Sequence, residues 1–148
     1  LMVKETGTGV GRALYATYLS FVKPEDFSYP LVSHTDKRGS FVEFLKTSDC
    51  GQFSFLTAHP GETRGSHYHH TKTEKFLIVK GEARFRFRHL ATGETREIRA
   101  SGENPAVVET IPGWVHDITN VGSDLLVVIL WANEVFDRER PDTYAMVV

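Results

Sequence analysis

The sequence predicts an all-β domain, a sandwich or closed barrel of short strands, entered through one short helix. Three observations carry that prediction. From Pro30 onward, short runs with period-two alternation or continuous apolar character recur at near-even spacing. Turn-forming residues separate the runs, and helical spacing occurs in one stretch near the N-terminus. Many short, evenly spaced strands with turns between them favour sandwiches and barrels.

In chain order, residues 5–11 are glycine-rich and open a run in which Leu14, Tyr15, Tyr18, Leu19 and Phe21 recur at helical steps. Residues 12–21 therefore read as a helix, limited by Pro24. The glycines lack the preceding strand and the spacing of a dinucleotide loop. Residues 1–29 are assigned to a linker and short helix, the edge of a further domain, and 30–148 to the β domain. Strands are expected at 40–45 and 52–58, either side of Asp49, Cys50 and Gly51. Residues 75–80 form the next, ended by Gly81. Residues 83–90 alternate, with Phe85 and Phe87 on one face and Arg84, Arg86 and Arg88 on the other. After the turn at Ala91, Thr92 and Gly93 come strands at 95–100, 106–111, 117–120 and 125–131. Phe41, Phe53, Phe55, Phe76, Phe85 and Phe87 are expected in the core or at a dimer interface. The charged tail, 137–142, contains Pro141 and is expected to pack loosely.

Composition sets limits on function. A chain of 148 residues, 41% apolar and 24% charged, has ordinary globular usage, which excludes disorder as the default. Net charge is −2, from 17 basic and 19 acidic residues with no Lys/Arg cluster, so there is no electrostatic footprint for nucleic acid. The longest apolar stretch, 125–132, is too short to span a bilayer, and no signal peptide is visible. The single cysteine, Cys50, rules out an intrachain disulfide and is compatible with a cytoplasmic setting. With no base beside it in sequence, Cys50 reads as a plain turn residue.

The chemistry concentrates between Gly61 and Asn120. His67, His69 and His70 lie close together and Glu74 follows. On an extended strand alternate side chains share a face, so His67 and His69 point together and His70 points away. Two imidazoles and a carboxylate make a partial cage for a divalent metal, and His116, after the turn at Pro112 and Gly113, is the obvious further ligand. One such histidine alone would read as an ordinary surface or core residue; the spacing of all four residues favours a metal site. These ligand types suit zinc, iron, manganese, nickel or copper.

Gly61, His67, His69, Glu74 and Gly81 resemble the first cupin motif: glycine, five residues, His-x-His, three or four residues, Glu, six residues, glycine. Gly113, His116 and Asn120 resemble the second motif's Gly-x-x-His-x-x-x-Asn, although Pro112 stands directly before Gly113 and Gly102 is not at the expected spacing. The resemblance implies a double-stranded β-helix (cupin, jelly-roll) barrel with His67, His69, Glu74 and His116 as metal ligands. Asp36, Arg38, Gly39, Phe41 and Glu43 resemble the Asp-x-Arg-Gly-x-Phe-x-Glu strand of nucleotide-sugar epimerases and ketoisomerases. Wider similarity, over the segments that begin at Phe27, Arg38, His67, Arg86 and Pro141, resembles the C-terminal cupin domain of the bifunctional CapF family of capsular-polysaccharide enzymes. In that family a short-chain reductase half precedes a zinc-bearing cupin half.

The resemblance implies C3 epimerisation of a UDP-linked 4-keto-6-deoxy-N-acetyl sugar on the way to UDP-N-acetyl-L-fucosamine, in a cytoplasmic homodimer, with zinc as cofactor. Arg38, Glu43, Lys72 and Arg86 are the expected substrate-binding residues; arginine suits a diphosphate because its fork donates parallel hydrogen bonds. His59 is the first candidate for general base, since histidine titrates near pH ~6.5, with His70, Tyr68 and Lys75 as further acid–base candidates. Other classes carried forward are a metal-dependent oxygenase or isomerase of another small molecule, and a non-catalytic sugar-binding or dimerising module.

Overall fold

Among the described residues, 2–4 and 6–148, the computed structural model forms twelve strands and one α-helix; Leu1 and Glu5, the first residue of the glycine-rich stretch, lie outside them. In order these are β1 (Met2–Val3), α1 (Gly9–Ser20), β2 (Ser33–Asp36), β3 (Gly39–Thr47), β4 (Gly51–Ala58), β5 (Thr63–Tyr68) and β6 (Glu74–Lys80). They continue with β7 (Glu82–His89), β8 (Thr95–Ser101), β9 (Val107–Thr110), β10 (Trp114–Asn120), β11 (Leu126–Ala132) and β12 (Tyr144–Ala145). One sheet runs β1-β3-β4-β11-β6-β9, with β2 also on β3; the other runs β12-β5-β10-β7-β8. Each sheet keeps its own hydrogen-bonded path, so the expected double-stranded β-helix (jelly-roll) forms as two facing sheets that, among the described residues, are not joined edge to edge by hydrogen bonds.

Alternation explains both layers. On β11, Leu126, Val128, Leu130 and Ala132 are buried while Val127, Ile129 and Trp131 face the other way. On β7, Ala83, Phe85 and Phe87 are buried and the three arginines lie opposite. Phe76 of the first sheet meets Phe85 of the second edge to face at 5.6 Å, and Phe87 stacks on Phe85 at 6.4 Å. Burying each such side chain stabilises the fold by about 1.5–3 kcal/mol. Phe53 and Phe55 are instead half-buried, in register with the outward-facing Trp131 and Ile129.

Two expectations need correction. The helix begins at Gly9 rather than residue 12, and none of its residues is buried. The tail is not loose. Asp142 is hydrogen-bonded to the loop after β5, and β12 pairs with β5 through Tyr144–Tyr68 and Ala145–His67. A Pro-containing, charged sequence hid that docking, because it is made by backbone groups and one carboxylate rather than by an apolar pattern.

Candidate metal centre

The site joins the two sheets. His67 lies on β5 and His116 on β10, which are neighbours in one sheet; Glu74 opens β6 in the other, and His69 lies just beyond the end of β5. His116 is the direct partner of His67, and beside them the ladder bulges between His116 and Asp117. Gly65 (φ 87°) and Ser66 (φ 61°) hold the bulge open in the left-handed region. A side chain on Gly65 would lie 3.0 Å from the His116 carbonyl oxygen, so only glycine fits between these strands without displacement. The ring centres of His67, His69 and His116 are 4.7–5.3 Å apart, and the ligand atoms of all four residues lie within 4.8 Å of one another.

The hydrogen bonds fix which nitrogens face inward. The Asp142 carbonyl oxygen, 2.6 Å from His69 Nδ1, can only accept, so Nδ1 carries the proton and Nε2 presents a lone pair. That Nε2 lies 3.3 Å from Glu74 Oε2. His116 repeats the arrangement: Nδ1 faces the Trp114 carbonyl at 3.4 Å, and Nε2 is buried, without a hydrogen-bond partner, 3.4 Å from the same carboxylate oxygen. Neutral imidazole lone pairs facing a carboxylate call for a cation between them, so the residues fit a divalent metal. Burial pushes the Glu74 carboxyl up; positive charge on the side of the facing His116 and His69 rings, a proton or a bound cation, would outweigh it and hold the group well below the usual carboxylate range. Burial, reinforced by His116, pulls His67 from 6.5 down to about 4, leaving a neutral ring near pH 7. Thr110 Oγ1 donates to Glu74 Oε2 at 3.3 Å and helps orient the carboxylate.

Residues 34–144 match the polysaccharide biosynthesis C-terminal domain family. The chain belongs to this family. It is 64% identical over 145 residues to the UDP-2-acetamido-2,6-β-L-arabino-hexul-4-ose reductase of Pseudomonas aeruginosa, covering 98% of this chain and 39% of that protein. It superposes on the capsular polysaccharide assembling protein CapF of Staphylococcus aureus with a TM-score of 0.94 and 46% identity, over 99% of this chain and 40% of that one. The chain thus spans about two fifths of the length of these relatives. An oxalate decarboxylase of Bacillus subtilis, at 16% identity and TM-score 0.62 over 78% of this chain and 30% of that one, shares the fold alone.

In this C-terminal domain a cavity of about 380 Å³ opens above the cluster. His67, Glu74 and His116 contribute to its lining, as do the expected substrate residues Arg38, Glu43 and Lys72. Arg38 has its fork committed to Asp36, with Nη2 2.6 Å and Nε 3.1 Å from Oδ2. Glu43 is held by Lys46 at 2.8 Å and by the Gln52 amide at 3.1 Å. Lys72 is buried, its Nζ donating to the Pro141 carbonyl and Thr143 Oγ1 at 3.1 and 2.8 Å.

The other expected residues are not brought there. Arg86 lies on the opposite face of β7, its Nε 3.1 Å from the fully buried Asp117 carboxylate. Tyr68 stacks on Tyr144 on the far side of β5, and His70 packs edge-on to both rings. Lys75 points outward from β6 and pairs with Glu109. His59 follows β4 and lines a separate groove with Ser33, Thr35 and Leu125. For Arg86, Tyr68 and Lys75 the reason is strand alternation, since each neighbours an inward-facing residue and so faces out; His59 and His70 lie in the loops beyond β4 and β5.

Sequence reasoning passed over Arg64 and Asp142. Arg64 lines the cavity; its Nε donates to the Thr57 carbonyl at 3.0 Å, while Nη2 is buried without a hydrogen-bond partner. Three residues before His67, it would alternate to the opposite face of a regular strand, and it reaches the same cavity across the irregular backbone at Gly65 and Ser66. Asp142 stands in a segment of family resemblance, but its role is not local, because its partners lie some seventy residues away.

Proposed function

We propose that this domain catalyses C3 epimerisation of a UDP-linked 2-acetamido-4-keto-6-deoxyhexose, in the cytoplasmic synthesis of capsule precursors, with zinc held by His67, His69, Glu74 and His116. The observation that carries the reading is the opposition of imidazole lone pairs and a carboxylate at the base of a cavity that also presents guanidinium groups. The name of the Pseudomonas aeruginosa relative specifies a UDP-linked hexul-4-ose, the class of 4-keto sugar whose C3 proton is acidic.

A proton next to a ketone leaves readily when the charge that develops on the oxygen is stabilised. A divalent ion in the cluster would supply a Lewis acid for that oxygen. Arg64 and Arg38 suit the diphosphate, as planar donors at the cavity wall. Lys72, Glu43 and Glu134 are the remaining acid–base groups of the lining, and proton removal and return at C3 are assigned among them. The apolar wall of Phe41, Phe76, Phe85 and Leu130 keeps water from the reacting carbon. The half-buried outer face carrying Phe53, Phe55, Ile129 and Trp131 supports pairing of two copies, and a short-chain reductase domain is the proposed partner for the second step.

The test is incubation with the UDP-4-keto-6-deoxy-N-acetyl sugar in D₂O, followed by NMR with and without chelator. Deuterium at C3 that the chelator suppresses is the expected result. No exchange in zinc-loaded protein would remove the epimerase reading and leave a sugar-binding module.

A further inference from the structure

Residues 141–147 form a strap across the end of β5 and the loop that follows it, which carries His69. Asp142 sits at its centre. The Asp142 carboxylate accepts the backbone N–H groups of His70 (2.9 Å), Thr71 (2.8 Å) and Lys72 (2.8 Å), together with the Thr71 hydroxyl (2.9 Å). Its own carbonyl oxygen accepts from His69 Nδ1 at 2.6 Å. One residue therefore fixes both the loop that follows His69 and the ring of His69 itself. It does so from a left-handed backbone conformation, φ 39°, which a non-glycine residue holds only where the surroundings demand it. The strap is tied at further points: Lys72 Nζ to Pro141 and Thr143, Tyr144 paired with Tyr68, and the Met146 N–H to the Ser66 carbonyl at 2.9 Å.

We propose that Asp142 is a positioning residue of the metal centre, and that the C-terminal strap sets how tightly and how long the metal is held. This rests on the metal-site reading above. Were the strap a plain clasp, any contact between tail and loop would serve. Here the contact reaches a ligand ring and decides its tautomer, because a carbonyl on Nδ1 forces the lone pair onto Nε2, the nitrogen that faces Glu74 and the other rings. Backbone N–H donors are strong, directional partners for a carboxylate, so removing the Asp142 side chain would free the carbonyl as well as the loop. Outer contacts of this kind change metal affinity by roughly 10–100-fold.

The experiment measures zinc affinity by chelator competition, and zinc release by trapping with excess chelator. It compares wild type, Asp142→Ala, Asp142→Asn and the exposed tail variant Glu139→Ala. Unfolding temperatures of the metal-free proteins separate lost binding from lost folding. We expect Asp142→Ala to bind zinc roughly 10–100-fold more weakly and to release it correspondingly faster, with the metal-free protein still folded. Asp142→Asn, which keeps one acceptor oxygen, falls between, and Glu139→Ala matches wild type. If Asp142→Ala does not fold, Asp142→Asn carries the comparison. Affinity and release equal to wild type in the folded Asp142 variants would overturn the inference. Wild-type protein that takes up no zinc would overturn the underlying metal reading, and this inference with it.

Discussion

A buried guanidinium nitrogen without a partner is a standing cost in a folded protein, since an unmet charged donor forfeits its hydration. Arg64 carries one at the cavity wall, and burial also pulls its pKa down. Asp36 at 3.9 Å is too distant to satisfy it and is already engaged by Arg38. A ligand anion would supply what the protein does not. Arg64→Met should therefore weaken UDP-sugar binding by roughly 10–150-fold, the equivalent of a charged hydrogen bond worth about 1.5–3 kcal/mol. The unfolding temperature should stay the same or rise; calorimetric titration alongside thermal melts reads both. At this scale the four residues of the cluster were legible because each belongs to a short, spaced pattern. Arg64 was not, because an arginine one residue from a glycine has no signature of its own until the strand is paired. The acid–base candidates lie outside the cavity for a related reason: residue type suggested His59 as base and Tyr68 as acid, but their places in the fold decide access.

Most strands of the two sheets were readable from alternation, and β7 and β11 most clearly, since their inward residues are large and apolar throughout. β5 was harder to bound. Its sequence, Thr-Arg-Gly-Ser-His-Tyr, has no apolar period, and it is a strand because β10 and β12 pair with it. Its bulge is what a hydrophobicity pattern cannot report, yet it determines how His67 faces His116. Gly65→Ala isolates that element. The substitution places a Cβ 3.0 Å from the His116 carbonyl oxygen and 3.2 Å from Asp117 Cα, at a φ of 87° that side chains rarely adopt. We expect a loss of about 1–3 kcal/mol in stability and weaker zinc binding, because the strand carrying His116 must move. Chemical denaturation and zinc competition on the same preparation measure the two effects; unchanged zinc affinity would mean that the bulge is incidental to the site.

At the scale of the molecule, the cluster draws its residues from both layers of the sandwich, so a metal held there would link its binding to sheet-to-sheet packing. A ligand that binds only the folded state stabilises it by mass action, by about 2.7 kcal/mol at a hundredfold excess over its dissociation constant. For a chain of this size that corresponds to a rise of roughly 5–11 °C in unfolding temperature. The aromatic core offers the control, because Phe76, Phe85 and Phe87 join the same two layers without being ligands. Phe85→Ala should cost about 3–5 kcal/mol through the cavity it leaves, lowering the unfolding temperature by roughly 6–20 °C, while the increment gained on adding zinc persists. His116→Ala should behave in the opposite way. It removes a buried nitrogen that has no hydrogen-bond partner, so the metal-free protein should lose little, but the zinc increment should vanish. Thermal melts of the three proteins, each with chelator and with zinc, separate these cases. A zinc increment that survived His116→Ala would mean that the ion binds elsewhere, and the ligand set would have to be redrawn.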